Sequence, residues 1–141
     1  GNLPKTVRHW LRPNTKPGSR RNIAHHYDLS NDLFALFLDP SMTYSSAIFG
    51  SPEESLADAQ ARKFRRFGDG LAIEATDHVH EIGCGWGAFA IFAARTYGCR
   101  VTGITISAEQ HALATARVRE AGLADRVDIR LGRAIDTLPE R

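Results

Sequence analysis

Cysteine and methionine are scarce: the chain has two cysteines, Cys84 and Cys99, and one methionine, Met42. Neither cysteine sits in a CxxC or other metal-ligand spacing, which argues against a disulfide scaffold and a thiolate metal site. Both read as small buried residues in a reducing compartment. Long apolar runs are missing too. None approaches the roughly 20 residues that a membrane span needs, and no secretory signal is visible, so a cytoplasmic protein is expected. Acid is lacking at the front, where residues 1–30 hold Lys5, Arg8, Arg12, Lys16, Arg20 and Arg21 against the single acid Asp28. The rest of the chain has 12 bases and 15 acids, so the net charge of +2 hides a basic arm. With Trp10 and Leu11 inside it, that arm suits an anionic surface, or is simply a solvated terminus.

What is present is a globular composition, 43% hydrophobic and 24% charged over 141 residues, enough for about one domain. Residues 1–21, with Pro4, Pro13, Pro17 and Gly18, read as an arm or linker. Residues 22–70 read as a helical cap. Its apolar face (Ile23, Tyr27, Leu29, Leu33, Phe34, Phe37) predicts two short helices, over about 21–27 and 30–38, ended by Pro40. A polar-aromatic loop follows. Ser51-Pro52-Glu53-Glu54 predicts the start of a helix running to about Gly68. From residue 71 the pattern becomes strand and helix in alternation. Strands are predicted over 78–83, 100–106 and 126–131, with helices over about 86–97 and from the Ser107 capping box to Ala121. A βαβαβ period predicts a parallel, doubly wound α/β sheet.

Between the first strand and its helix lies Glu81-Ile82-Gly83-Cys84-Gly85-Trp86-Gly87. Glycines at alternate positions allow positive φ and close ligand approach, and the helix after them offers free N–H groups. The turn fits the dinucleotide fingerprint G-x-G-x-x-G/A, and it equally fits acid-x-G-x-G-x-G of S-adenosylmethionine enzymes. Two observations favour the latter. A dinucleotide site needs a carboxylate about 20 residues on, and Gly103-Ile104-Thr105-Ile106-Ser107 has none. Glu81 would repel a pyrophosphate and attract the ammonium of a methionine moiety.

The stretch Ala24-His25-His26-Tyr27-Asp28-Leu29-Ser30-Asn31-Asp32-Leu33-Phe34, then Met42-Thr43-Tyr44-Ser45-Ser46-Ala47-Ile48-Phe49, closely resembles the cyclopropane-fatty-acyl-phospholipid synthase and mycolic acid cyclopropane synthase family. The glycine turn and Gly103-Ile104-Thr105-Ile106-Ser107-Ala108-Glu109-Gln110 continue the resemblance in order and spacing, over about residues 20–131. It implies a Rossmann-like class I methyltransferase. Tyr44 and Ser45 would then contact the methionine end of the cofactor. Glu81, Gly83, Cys84, Gly85 and Gly87 would form the turn beneath it. Thr105 and Gln110, with Ile106 beside them, would meet the ribose, whose diol neutral side chains can serve. Tyr27 and Ser46 are the catalytic candidates, although Tyr27 could equally pack in the cap. The adjacent His25 and His26 point apart on a helix and are read as structural.

The implied reaction moves a methyl group from S-adenosylmethionine to a cis double bond of an unsaturated phospholipid acyl chain and closes a cyclopropane ring, with a bound bicarbonate as base. Methyl branching of an acyl chain shares its first step. The implied location is the inner membrane surface, with no nucleic acid partner and with room for a homo-oligomer. The sequence departs from the family's pattern in three places. Ser46 stands where several members have Cys, beside the bicarbonate site. Gly132-Arg133-Ala134 offers the adenine neither acid nor ring. Three strands stand where such a sheet has about seven, so this chain alone is expected to be the first half of the cofactor domain, with little activity. A methyltransferase for another lipid or small molecule is a further alternative, and a catalytically silent binding module is the reading from another class.

Overall fold

The computed structural model describes residues 31–137. The basic arm, the helix expected over 21–27, His25, His26 and Tyr27 lie outside them. In chain order the elements are α1 (Asn31–Ala35), α2 (Leu56–Gly70), β1 (His78–Ile82), α3 (Ala88–Tyr97), β2 (Arg100–Thr105), α4 (Ala108–Glu120), β3 (Val127–Leu131) and α5 (Ala134–Thr137).

The strands pair in parallel in the order β1-β2-β3. Both crossings step the same way across the sheet, and the apolar faces of α3 and α4 merge into one core. Ala90, Ala93 and Ala94 of α3 and Ala114 and Val118 of α4 pack with Val101, Val127 and Ile129. Alanine in α3 lets the helix lie close to the strands. The opposite winding of a doubly wound sheet would begin beyond β1, at the edge where Ile82 is 67% exposed. β2 lies between its two neighbours, and its residues from Val101 to Thr105 are all buried.

Close packing at the top of the sheet depends on Gly103. It pairs with Glu81 on one side and Ile129 on the other, and a Cβ there would stand 2.9 Å from both Cys84 Cβ and Ile129 Cδ1. That vacancy lets the turn after β1 cross over β2. The crossing is fixed by two N–H groups, of Gly83 and Cys84, which both donate to the Ile104 carbonyl at 2.8 and 3.0 Å.

Two predicted boundaries move. The helix after the loop starts at Leu56 with Ser55 as its cap, whose Oγ accepts from Asp58 N at 3.1 Å. Ser51 and Pro52 instead open a turn, in which Glu54 N donates to Ser51 O at 3.3 Å and the Glu54 carboxylate pairs with Arg62. Proline presets φ for a turn as readily as for a first helical position, so the local signal fits both. The helix predicted over 30–38 shortens to Asn31–Ala35, because Asp39 organises the chain beyond it. Its carboxylate accepts from Ser41 N, Ser41 Oγ and Thr43 N, drawing residues 39–43 into a turn that a continuing helix could not share. The short α5 was not foreseen.

Candidate cofactor site

The glycine turn is built as its spacing requires. Gly83, Gly85 and Gly87 have φ of 79°, 55° and 81°, values that L side chains rarely adopt. Gly87 caps α3 without a side-chain hydrogen bond, and Ala88 and Phe89 at the start of that helix line the space above the turn, while the Ala90 N–H goes to Glu81. A cavity of about 530 Å³ lies there, a size usual for small-ligand sites. Its floor is the turn, and one wall is the end of β2 with the start of α4. The opposite wall is the irregular segment Met42–Ser45, and Gly132-Arg133-Ala134 close the remaining side.

The structure brings most of the candidate residues to this cavity. Tyr44 and Ser45 line the irregular wall. Glu81, Gly83, Cys84 and Gly85 form the floor, and Thr105, Ile106 and Gln110 stand on the β2 side. Gly87 is not in the lining. It lies below, where a Cβ would come within 3.3 Å of Ala114 Cβ, so it serves the turn's shape and the approach of α3 to α4. Ser46 is also outside the lining. Its side chain is exposed, and its carbonyl accepts from Lys63 Nζ at 3.0 Å.

Two features show what the cavity would accept. Glu81 points its carboxylate into a buried position, and its Oε2 has no hydrogen-bond partner. Burial pushes its pKa up to about 7, against the pull of the Ala90 N–H. Such a carboxylate wants a cationic or N–H-bearing group. On the β2 side, Thr105 Oγ1 donates to Gln110 Oε1 at 2.8 Å and accepts from Ser107 N at 3.2 Å. The predicted capping box is therefore half formed. Ser107 Oγ accepts from Gln110 N, while the Gln110 side chain turns to Thr105. With Oε1 committed, Gln110 Nε2 is the end that can donate to a ligand. Neutral groups here suit a diol, and no carboxylate closes β2. The donor set fits S-adenosylmethionine: an acid for its ammonium, neutral polar groups for its ribose, and an open backbone turn between them. Cys84, buried in the floor with its pKa pushed up to about 12 by burial and by Glu81, is an inert thiol.

The irregular wall is held from behind by side chains that the sequence reading missed. Gln60 Nε2 donates to the carbonyls of Ser45 (2.8 Å) and Thr43 (3.4 Å), and Lys63 Nζ donates to Ser45 Oγ (2.7 Å) and Ser46 O. From α4, Arg117 donates to the carbonyls of Ser41 (2.8 Å) and Trp86 (2.9 Å). Met42, within this strap, has φ of 59°, a strained value for a non-glycine residue, and lines the cavity. One signal was available. Gln60 and Lys63 are polar residues one turn apart on the same buried stripe as Ala59 and Phe64. Trp86 is the other omission. Buried in the turn, it packs against Phe34 with the rings tilted and centroids 4.9 Å apart, and donates to Asn31 Oδ1 at 2.8 Å, docking α1 on the floor.

The fold of this arrangement is that of class I S-adenosylmethionine-dependent methyltransferases, as solved structures similar to it show. A mycolic acid cyclopropane synthase complexed with SAH and CTAB superposes with a TM-score of 0.80 at 31% identity, over 93% of this chain and 44% of that one. A cyclopropane synthase from Mycobacterium tuberculosis gives a TM-score of 0.77 at 33% identity, over 87% and 41%. The family is narrower than the fold. The mycolic acid cyclopropane synthetase family matches residues 14–137, and the chain belongs to it. Among curated relatives, the tuberculostearic acid methyltransferase of Mycobacterium tuberculosis is 46% identical, over 92% of this chain. The chain spans about a third (34%) of that relative's length.

Proposed function

We propose that this chain binds S-adenosylmethionine and is the cofactor-binding part of an enzyme that methylates the cis double bond of an unsaturated phospholipid acyl chain, giving a cyclopropane fatty acid. The observation that carries the reading is the position of Tyr44. Its ring lines the cofactor cavity and also meets an exposed apolar ledge on and after α1. Phe34 and Phe37 lie 5.0 and 6.4 Å from it, and Leu36 is 82% exposed. An apolar chain laid along that ledge would reach the methionine end of the cavity.

When bound, S-adenosylmethionine supplies an electrophilic methyl group on a sulfonium. The chain's own residues would place and shelter it. Glu81 holds the ammonium, Gln110 Nε2 and Thr105 meet the ribose, and the glycine turn lets the ligand lie against the backbone. The Tyr44 ring, offered to a cationic centre, favours it by roughly 0.5–2 kcal/mol depending on desolvation. Phe34 packs against Tyr44 and Trp86 against Phe34, giving the ring an apolar backing; the water exclusion that an unactivated alkene requires would need the exposed ledge to be covered.

A second reading is methyl branching, favoured by the higher identity to the tuberculostearic acid methyltransferase than to either cyclopropane synthase above. The two differ in stoichiometry. Ring closure adds one CH2 and releases a proton to a base, whereas a saturated methyl branch involves no net loss of that proton and consumes a hydride. The test is incubation of the protein at its full natural length with labelled S-adenosylmethionine and unsaturated phospholipid vesicles, followed by mass spectrometry of the acyl chains. A labelled ring product without added reductant supports the first reading, and product formed only with a hydride donor supports the second. No label in lipid, with S-adenosylhomocysteine still bound, would remove the lipid assignment and leave the cofactor site.

A further inference from the structure

We infer that Lys63 is a positioning residue that makes Ser45 a hydrogen-bond donor to the carboxylate of the cofactor's methionine moiety. The inference rests on the S-adenosylmethionine reading of the cavity, with Ser45 at the methionine end, and goes beyond it by assigning to Lys63 the control of how Ser45 bonds there.

Ser45 lines the cavity and Lys63 does not; Lys63 reaches Ser45 from behind, donating from Nζ to Oγ at 2.7 Å. A hydroxyl has one proton and two lone pairs. With an ammonium donating into Oγ, the serine proton is left to point away from Lys63, into the cavity, and it is polarised by the charge behind it. A Ser45 without that neighbour would be free to act as an acceptor and would not discriminate.

The second observation is electrostatic. Lys63 is only 8% exposed, its other contacts are the Ser46 carbonyl and the face of Phe64 at 5.3 Å, and among the described residues it makes no ion pair. A buried ammonium whose hydrogen bonds go only to neutral acceptors has the Asp39 carboxylate acting on it at a distance and no ion pair, and burial on balance lowers its pKa. An anionic group on the far side of Ser45 would add to that compensation. Glu81, also in the lining, supplies the opposite pole. An amino-acid zwitterion has one group for each pole, and the arrangement reads it by both.

The experiment measures binding of S-adenosylhomocysteine and of its decarboxylated analogue, which keeps the amine, by calorimetry on the protein at its full natural length. The wild type is expected to prefer S-adenosylhomocysteine. Lys63→Met should weaken that ligand by about tenfold, the scale of one charge-assisted hydrogen bond, and leave the analogue unchanged. Lys63→Arg should recover part of the loss, and in a Ser45→Ala background Lys63→Met should cost nothing further. Equal weakening of both ligands would make Lys63 a mere fastening of the loop and overturn the inference, as would no weakening of either. If Lys63→Met does not fold by thermal melting, Ser45→Ala carries the same comparison: loss confined to the carboxylate-bearing ligand supports the inference, and no such selectivity overturns it. A wild type that binds neither ligand refutes the cofactor reading itself and takes the inference with it.

Discussion

Glu81 is the residue whose replacement should pull stability and binding in opposite directions. Its carboxyl is buried beneath the cavity with one oxygen unpartnered, and its pKa rises from an ordinary 4.5 to about 7. The fold without ligand therefore holds a proton on Glu81 more tightly than the unfolded chain does. The stability tied to that neutral form is fully present below pH 4.5 and is lost as pH rises through about 7. At about 1.4 kcal/mol per pH unit, the interval corresponds to roughly 3 kcal/mol. Glu81→Gln removes the charge penalty but leaves a buried amide short of partners, at a cost of about 1 kcal/mol. The net expectation is that the variant is more stable than the wild type by about 2 kcal/mol at pH 8 and no more stable at pH 4.5. Binding should move the other way. Loss of the carboxylate proposed to meet the ligand's ammonium should weaken S-adenosylhomocysteine by roughly ten- to a hundredfold. Denaturant titrations of both proteins across pH 4.5–8, with calorimetry at pH 8, make the comparison. A variant less stable than the wild type at pH 8, or one that binds the ligand equally well, would refute the reasoning.

The glycines should separate by role. Gly85→Ala meets no atom within 4 Å and should cost about 1 kcal/mol of αL strain, yet its methyl enters the cavity and should weaken S-adenosylhomocysteine more than tenfold. Gly87→Ala also presses on Ala114 and should lose more stability than Gly85→Ala with a smaller effect on binding; the reverse ranking in melts and calorimetry would count against the assignment. Arg117→Met removes the bonds to the Ser41 and Trp86 carbonyls and should cost about 2 kcal/mol. It should also speed hydrogen exchange at Met42 and Thr43, and unchanged exchange there would show that Arg117 does not hold the strap. Cys84 and Cys99 are both buried with raised pKa, so neither should react with Ellman's reagent at pH 8 until the protein unfolds. Labelling faster than unfolding would mean that the floor of the cavity opens.

Whatever in this chain is encoded by neighbours in sequence could be read there. The βαβαβ order, the positive φ of the glycine turn and the Ser107 cap all depend on residues within a few positions of one another. The shift of the helix start from Ser51 to Ser55 is the exception, because two adjacent stretches offer a serine cap and packing chooses between them. The α2 helix is set by how Ala59 and Phe64 meet the body of the fold, and Pro52 is then left in a turn. The strap over residues 39–46 was opaque for a different reason. It has no regular backbone pairing, so its carbonyls are satisfied by Gln60 and Lys63, 15 to 18 positions away, and by Arg117, 76 positions from Ser41. Hydrophobic periodicity has nothing to say about side chains that bond to a distant backbone.

Trp86 joins the two halves of the site. A turn that needs glycine at alternate positions has only the intervening ones for side chains, Cys84 and Trp86. Cys84 goes down into the vacancy at Gly103, and Trp86 goes sideways onto Phe34 and Asn31. The Trp86 carbonyl accepts from Arg117, which also holds Ser41. The turn is therefore tied to α1 through an indole ring and to the strap through a guanidinium. Both routes end at Tyr44, the first through Phe34 and the second through the 41–44 backbone. The residue where the cofactor cavity meets the apolar ledge is thus held by the same contacts that shape the cofactor turn. Under the proposed function, a ligand on the turn and an apolar chain on the ledge would therefore bear on the same residue.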